Sequence, residues 1–89
     1  MDKNRKNIRR HKVSFELARE VFHDPLCLTI EDRTQEGEER FWTAGSIQGL
    51  VVLIVVHTTY ADDKGEEVIR IISARKAMPQ ERKWYEQGT

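Results

Sequence analysis

The side chains through which this sequence could do chemistry are Arg40, His57, Arg75, Glu81 and Tyr85. The run Arg70-Ile71-Ile72-Ser73-Ala74-Arg75 reads as an apolar strand that breaks at Ser73-Ala74 and hands Arg75 to the start of a helix. On that helix Glu81 and Tyr85 are spaced to share one face. A guanidinium fork matches two phosphate oxygens at once, and a carboxylate and a phenol beside it can orient a substrate or move protons. The competing reading of Arg75 is a salt bridge to Glu81, which is compatible with phosphate binding. Glu81 alternatively partners Arg82, and Tyr85 alternatively packs with its hydroxyl at the surface. Arg40 is a second anion-binding candidate, against a solvated ion pair with Glu38 or Glu39. His57 titrates near neutrality, as a general acid or base must, yet a satisfied histidine at the end of an apolar strand is the commoner arrangement.

Charge is balanced overall and polarised along the chain. The 89 residues carry a formal net charge of +0. Lys3, Arg5, Lys6, Arg9, Arg10 and Lys12 crowd the first segment, and Glu31, Asp32, Glu36, Glu38 and Glu39 a later one. Such polarity suits one anionic and one cationic contact surface. Lys3, Lys6, Arg9, Arg10, Lys12, Arg70 and Arg82 are the candidates for contacting a phosphate backbone, the alternative being a solvated face. No residues have metal-ligand spacing and no glycine-rich phosphate loop is present, so neither metal nor cofactor is expected. Cys27 is the only cysteine, expected buried and inert between Leu26 and Leu28. Trp84 reads as core or interface before stacking platform. The longest apolar run, Leu50–Val56, is too short to span a membrane. A charged amino terminus gives no signal peptide, and a cytoplasmic protein is expected.

The elements that must position these groups follow from periodicity. The chain length suits one domain, residues 1–89. Residues 2–11 have helical propensity but almost no apolar face, so that helix should lie on the surface. A second helix starts at Val13-Ser14 with Ser14 as cap; Phe15, Ala18, Val21 and Phe22 recur at helical spacing until His23-Asp24-Pro25 ends it. Strands are expected at Leu26–Ile30, Arg40–Ala44, Leu50–Thr58 and Val68–Ala74. An acidic loop with Gly37 (Glu31–Glu39), a turn at Gly45–Gly49 and a hairpin at Ala61–Gly65 connect them. The unbroken aliphatic run in the third strand predicts a central strand covered on both faces. Met78-Pro79 opens a last helix, with Gly88 past its end. The fold class is therefore α+β, a four-stranded antiparallel meander packed by two N-terminal helices and one C-terminal helix.

The closing string resembles that of the BrnT-type toxins, ribonucleases of bacterial toxin–antitoxin pairs. Asn7…Arg10-His11-Lys12-Val13-Ser14-Phe15 resembles the family signature N-x-x-K-H-G-V-S-F. Ala18…Val21-Phe22, Asp24-Pro25, Glu39-Arg40-Phe41…Gly45 and Leu50–Val56 follow in one register. Two positions depart: the family commonly has glycine where Lys12 stands, and it opens with a strand of the type F-E-W-D whose end Met1-Asp2 replaces. If position 12 needs positive φ, lysine there carries a strain of about 1 kcal/mol. An absent first strand would leave a sheet edge open.

The resemblance implies a RelE-like fold, metal-independent RNA cleavage that inhibits translation and growth, and neutralisation by a BrnA-type ribbon-helix-helix antitoxin. Two toxin chains per complex and DNA contact only through the antitoxin are expected. Chemistry of this kind is attack of a 2′-hydroxyl on the adjacent phosphorus. Arg75 and Arg40 are then the phosphate binders, with His57, Glu81 and Tyr85 as proton-transfer or orienting groups. Two other readings stand beside it: a non-catalytic nucleic-acid-binding module with a helix-turn-helix-like amino terminus, and an interaction domain with no nucleic-acid role.

Overall fold

The computed structural model describes residues 2–35 and 38–87. Helix α1 (Asp2–His11) keeps its cations Lys3, Arg5, Lys6, Arg9, Arg10 and Lys12 exposed, as its polar sequence predicts. One side chain nevertheless docks it. Asn7, 5% exposed, donates through Nδ2 to the carbonyls of Val13 (2.7 Å) and Ala74 (2.8 Å), and its Oδ1 accepts from the Ala74 N–H (3.0 Å). The chain then reverses at Lys12, whose φ is 63°. The position that raised the question of positive φ in the sequence does adopt it.

Ser14 caps α2 (Phe15–Ala18), accepting from the Leu17 N–H. The single amphipathic helix expected from here to His23 is instead one α turn followed by a 3-10 stretch, Arg19–His23. Residues three apart eclipse in 3-10 geometry, which turns Ala18 and Val21, both 0% exposed, into the same core. A one-turn α2 also provides no recognition helix for a helix-turn-helix.

Four antiparallel strands follow in the order β1-β2-β3-β4: β1 (Leu28–Gln35), β2 (Glu38–Ile47), β3 (Val51–Ala61) and β4 (Glu67–Lys76). The meander and the central place of β3 are as expected; Leu53, Ile54 and Val55 are all buried. Boundaries differ in instructive ways. The predicted strand Leu26–Ile30 starts later and runs further. The predicted acidic loop is largely sheet, with Glu31 opposite Phe41 and Thr34 opposite Glu39 across a bulge. An edge strand tolerates acidic residues because its ladder needs only the backbone. Glu36 and Gly37 lie outside the described residues, as does Gly88. The turn after β2 narrows to Gln48 (φ 54°) and Gly49 (φ 70°), the left-handed pair that matches strand twist in tight hairpins.

Strand β4 does not break at Ser73-Ala74: these residues pair with Val56 and Val55, and Arg75 pairs with Ile54. The irregularity lies one step earlier, a bulge at Ile72 that lets the strand bend and continue. Arg75 therefore stands on the sheet, not at a helix start. Helix α3 (Pro79–Glu86) begins with Pro79 in its first turn, and Glu81 accepts from the Met78 N–H at 2.8 Å.

Alternation gives the sheet two unlike faces. On one, Leu53, Val55 and Ala74 meet Val13, Ala18 and Val21, with Phe22, Ile47 and Ile71 packed around them. Gly45 allows this close approach, since a Cβ there would lie 2.6 Å from Val21 Cγ1. The opposite face is buried at Ala44, Ile54 and Thr58, half-buried at Trp42 and Val56, and exposed at Arg70 and Tyr60.

Candidate active site

The open face is organised by three cross-strand rows. Ala44, Ile54 and Arg75 form one, Trp42, Val56 and Ser73 the next, and Arg40, Thr58 and Arg70 the third. Tyr60, opposite Val68 and 54% exposed, lies beyond them. Three arginines thus frame a half-buried tryptophan. The Arg75 guanidinium carbon lies 6.0 Å from the Trp42 ring centroid, within cation–π range.

Arg75 is positioned by a fork-to-fork pair with Glu81, at 2.7 and 2.8 Å. Its hydrogen bonds to Arg75 hold the Glu81 carboxyl below the usual range, outweighing partial burial, with help from the Met78 N–H. The same pair raises the Arg75 pKa. The pairing read as an alternative from sequence is present, and it uses one N–H of each terminal nitrogen. The Nε–H remains for an anion. Arg40 offers a different signal: its Nε is buried and has no hydrogen-bond partner among the described residues. A buried, unsatisfied cationic donor is costly, and a phosphate oxygen would satisfy it.

Tyr85 turns elsewhere. Its hydroxyl donates to Asp24 and lies 3.3 Å from Ser46 Oγ. Asp24 also accepts from the N–H of Ser46 (2.8 Å) and of Leu26 (2.9 Å). Burial pushes Asp24 up, but the Tyr85 hydroxyl and these N–H donors bring it below its ordinary pKa. Burial, then the Asp24 charge, raises Tyr85. The shared helix face of Glu81 and Tyr85 is real, yet it delivers them to two different anchors. Cys27, expected buried, is half-buried, and burial followed by Asp24 raises its thiol.

His57 is on the wrong side of the sheet for this surface. It is 3% exposed, beneath the helical layer, edge-on to Phe22 (5.0 Å) and stacked on Phe41 (5.7 Å). Its Nε2 lies 2.8 Å from Thr43 Oγ1, which in turn bonds Thr29 Oγ1. Burial lowers its pKa, only partly offset by Glu67. The strand periodicity contains the reason: Arg40 and Trp42 share a face with Thr58, and His57 takes the other.

The cationic candidates divide similarly. Arg40, Arg70 and Arg75 belong to the sheet, whereas Lys3, Lys6, Arg9, Arg10 and Lys12 ride on α1 beside β4. Arg82 is exposed on α3, 3.6 Å from Glu86. Trp42, Thr58 and Tyr60 went unread in the sequence; period-two spacing from Arg40 would have found Trp42, and the same spacing across the apolar run Thr58 and Tyr60. Among the described residues no group of three or more His, Cys, Asp or Glu side chains could hold a metal ion, and no helix is long and apolar enough to cross a membrane.

A family model described as the ribonuclease toxin, BrnT, of type II toxin–antitoxin system matches residues 1–81. The chain belongs to the BrnT family. The match takes in Arg40, Arg70, Arg75 and Glu81 and stops short of Tyr85. No curated protein matches the chain. Membership of a type II ribonuclease toxin family implies an RNA substrate and an antitoxin partner for the protein.

Proposed function

We propose that this BrnT-family toxin cleaves RNA internally on the open face of its sheet, in the cytoplasm and without a metal ion. The observation that carries this is Arg40 and Arg75 flanking Trp42, with an unsatisfied donor on the first and a pre-oriented fork on the second. A nucleobase stacks on or beside Trp42, and the adjacent phosphate sits between the two guanidinium groups. The 2′-oxygen attacks phosphorus and loses its proton, while the 5′-oxygen leaves and gains one. The products are a cyclic phosphate and a free 5′-hydroxyl. Positive charge aimed at the phosphoryl oxygens stabilises the crowded intermediate, commonly the largest single contribution. Glu81, held ionised by Arg75, is a weak base, so its work is to hold the fork; solvent carries the protons. Tyr85 secures α3, and His57 supports the core. A BrnA-type antitoxin, with two toxin chains per assembly, neutralises the enzyme.

Purified protein incubated with bulk RNA tests the reading. Cleavage should persist in excess EDTA and fall about a hundred-fold or more in Arg75→Ala, with Arg75→Lys restoring only part of it because a point charge loses the planar fork. Full activity of soluble Arg75→Ala, or abolition by chelation with recovery on adding a divalent ion, would overturn it.

A further inference from the structure

The outer edge of β4 has no neighbouring strand among the described residues. At one point a side chain takes a strand's place. Asn7 bonds both the N–H and the C=O of Ala74, so both groups point away from β3. Ala74 is thus in a non-hydrogen-bonded pair with Val55, and counting by twos along β3 puts His57 and Thr59 in the same class. Their partners Ile71 and Ile69 then also direct N–H and C=O outward. Beside them a groove of about 450 Å³ is lined by Phe15, Ile69 and Ile71 and by the cations Lys3 and Arg19. Its one acidic lining residue, Glu16, is engaged by Asn4. Ile69 is 41% exposed.

We infer that this edge is a docking site for an extended, acidic segment of the antitoxin, which adds as a fifth strand alongside β4. The inference rests on the toxin–antitoxin reading but concerns a surface distinct from the RNA face. Outward peptide groups supply the backbone ladder, and alternate side chains of the guest drop onto the Phe15–Ile69–Ile71 floor. The acidic character follows from Lys3 and Arg19, two cations beside a single occupied carboxylate. The other free edge is unsuited to such a guest, because β1 exposes Glu31 and Asp32. A mismatch in sign would repel the same strand there.

The probe is an acetylated peptide of about nine residues, a common strand length, alternating glutamate with valine, and its counterpart carrying lysine for glutamate. Calorimetry with the full chain should show the acidic peptide binding about ten-fold or more tightly than the basic one, with slowed amide exchange at Ile69 and Ile71. Ile69→Pro removes an outward N–H without breaking the ladder to β3 and should weaken binding about ten-fold. Arg19→Glu, on an exposed side chain, should weaken it comparably. No binding of the acidic peptide, equal binding of the two peptides, or unchanged binding in both variants overturns the inference. So does a dimer of this chain that Ile69→Pro abolishes, which would give the edge to a second copy. Arg75→Ala should bind the peptide like wild type; peptide binding by a wild-type chain that cleaves no RNA would refute the enzymatic reading and leave this one standing.

Discussion

Replacing Lys12 with glycine should make the protein more stable, although it removes a side chain and adds none. Lys12 sits at φ 63°, where a Cβ crowds the backbone and raises the energy by about 1–2 kcal/mol. Glycine relieves that but gives the unfolded chain more freedom, at a cost of about 0.5–1 kcal/mol. The net gain is about 0.5–1 kcal/mol. The local hydrogen bond that closes the reversal, Lys12 N–H to Ile8 carbonyl at 2.8 Å, is backbone and survives the change. Lys12 is exposed, so no buried contact is lost. For a domain of this size the gain corresponds to a rise in Tm of roughly 2–8 °C. Calorimetry of wild type, Lys12→Gly and Lys12→Ala separates the causes. Alanine removes the charge while keeping the Cβ, so it should melt near wild type. A glycine variant that melts no higher than the alanine one would refute the strain argument.

His57→Gln should retain RNA cleavage, because His57 faces the helical layer; loss of cleavage in a folded variant would return it to the site. The folded pKa of His57 lies below its unfolded value. Its contribution to stability is therefore complete above about pH 6.5, and declines as pH falls below that value and the unfolded chain takes up a proton that the fold resists. Denaturant titrations at several pH values should show this slope in wild type and its loss in His57→Gln. Gly45→Ala should destabilise by about 1–3 kcal/mol, read as a lower denaturant midpoint, since its Cβ would lie 2.9 Å from the Val21 carbonyl oxygen. Trp42→Ala should raise KM for RNA about ten-fold through lost stacking, while Trp42→Phe keeps most of the affinity; equal kinetics for both would remove Trp42 from the surface.

The strand order and helix count were legible because they rest on hydrophobic runs and on local signals: Ser14 as cap, Pro25 and Pro79 as punctuation, Gly65 at positive φ. What was not legible depended on partners distant in sequence. The acidic stretch looks like a loop until β2 supplies its ladder. Val21 and Phe22 keep helical spacing, yet the sheet and Gly45 favour a tighter 3-10 path. Asn7 gives no hint in a polar helix that it will satisfy Ala74. At the site, Arg75 and Glu81 were readable from their spacing, but the strand containing Arg75 is longer than its apolar core. His57 falls on the face opposite Arg40 and Trp42 by parity, which no composition argument reveals.

The bond between Tyr85 and Asp24 spans 61 positions. It fixes α3, whose Glu81 in turn aims Arg75. The sheet can pair once β4 has been made, but the segment that orients its arginine leaves the ribosome after β4 does. Folding follows synthesis from the amino terminus, so a nascent toxin carries its proposed RNA face without an aimed fork until α3 has emerged. Assembly order thus separates the making of a toxic scaffold from the moment it becomes toxic, and an antitoxin that captures the β4 edge early would meet the protein before its cutting site is complete.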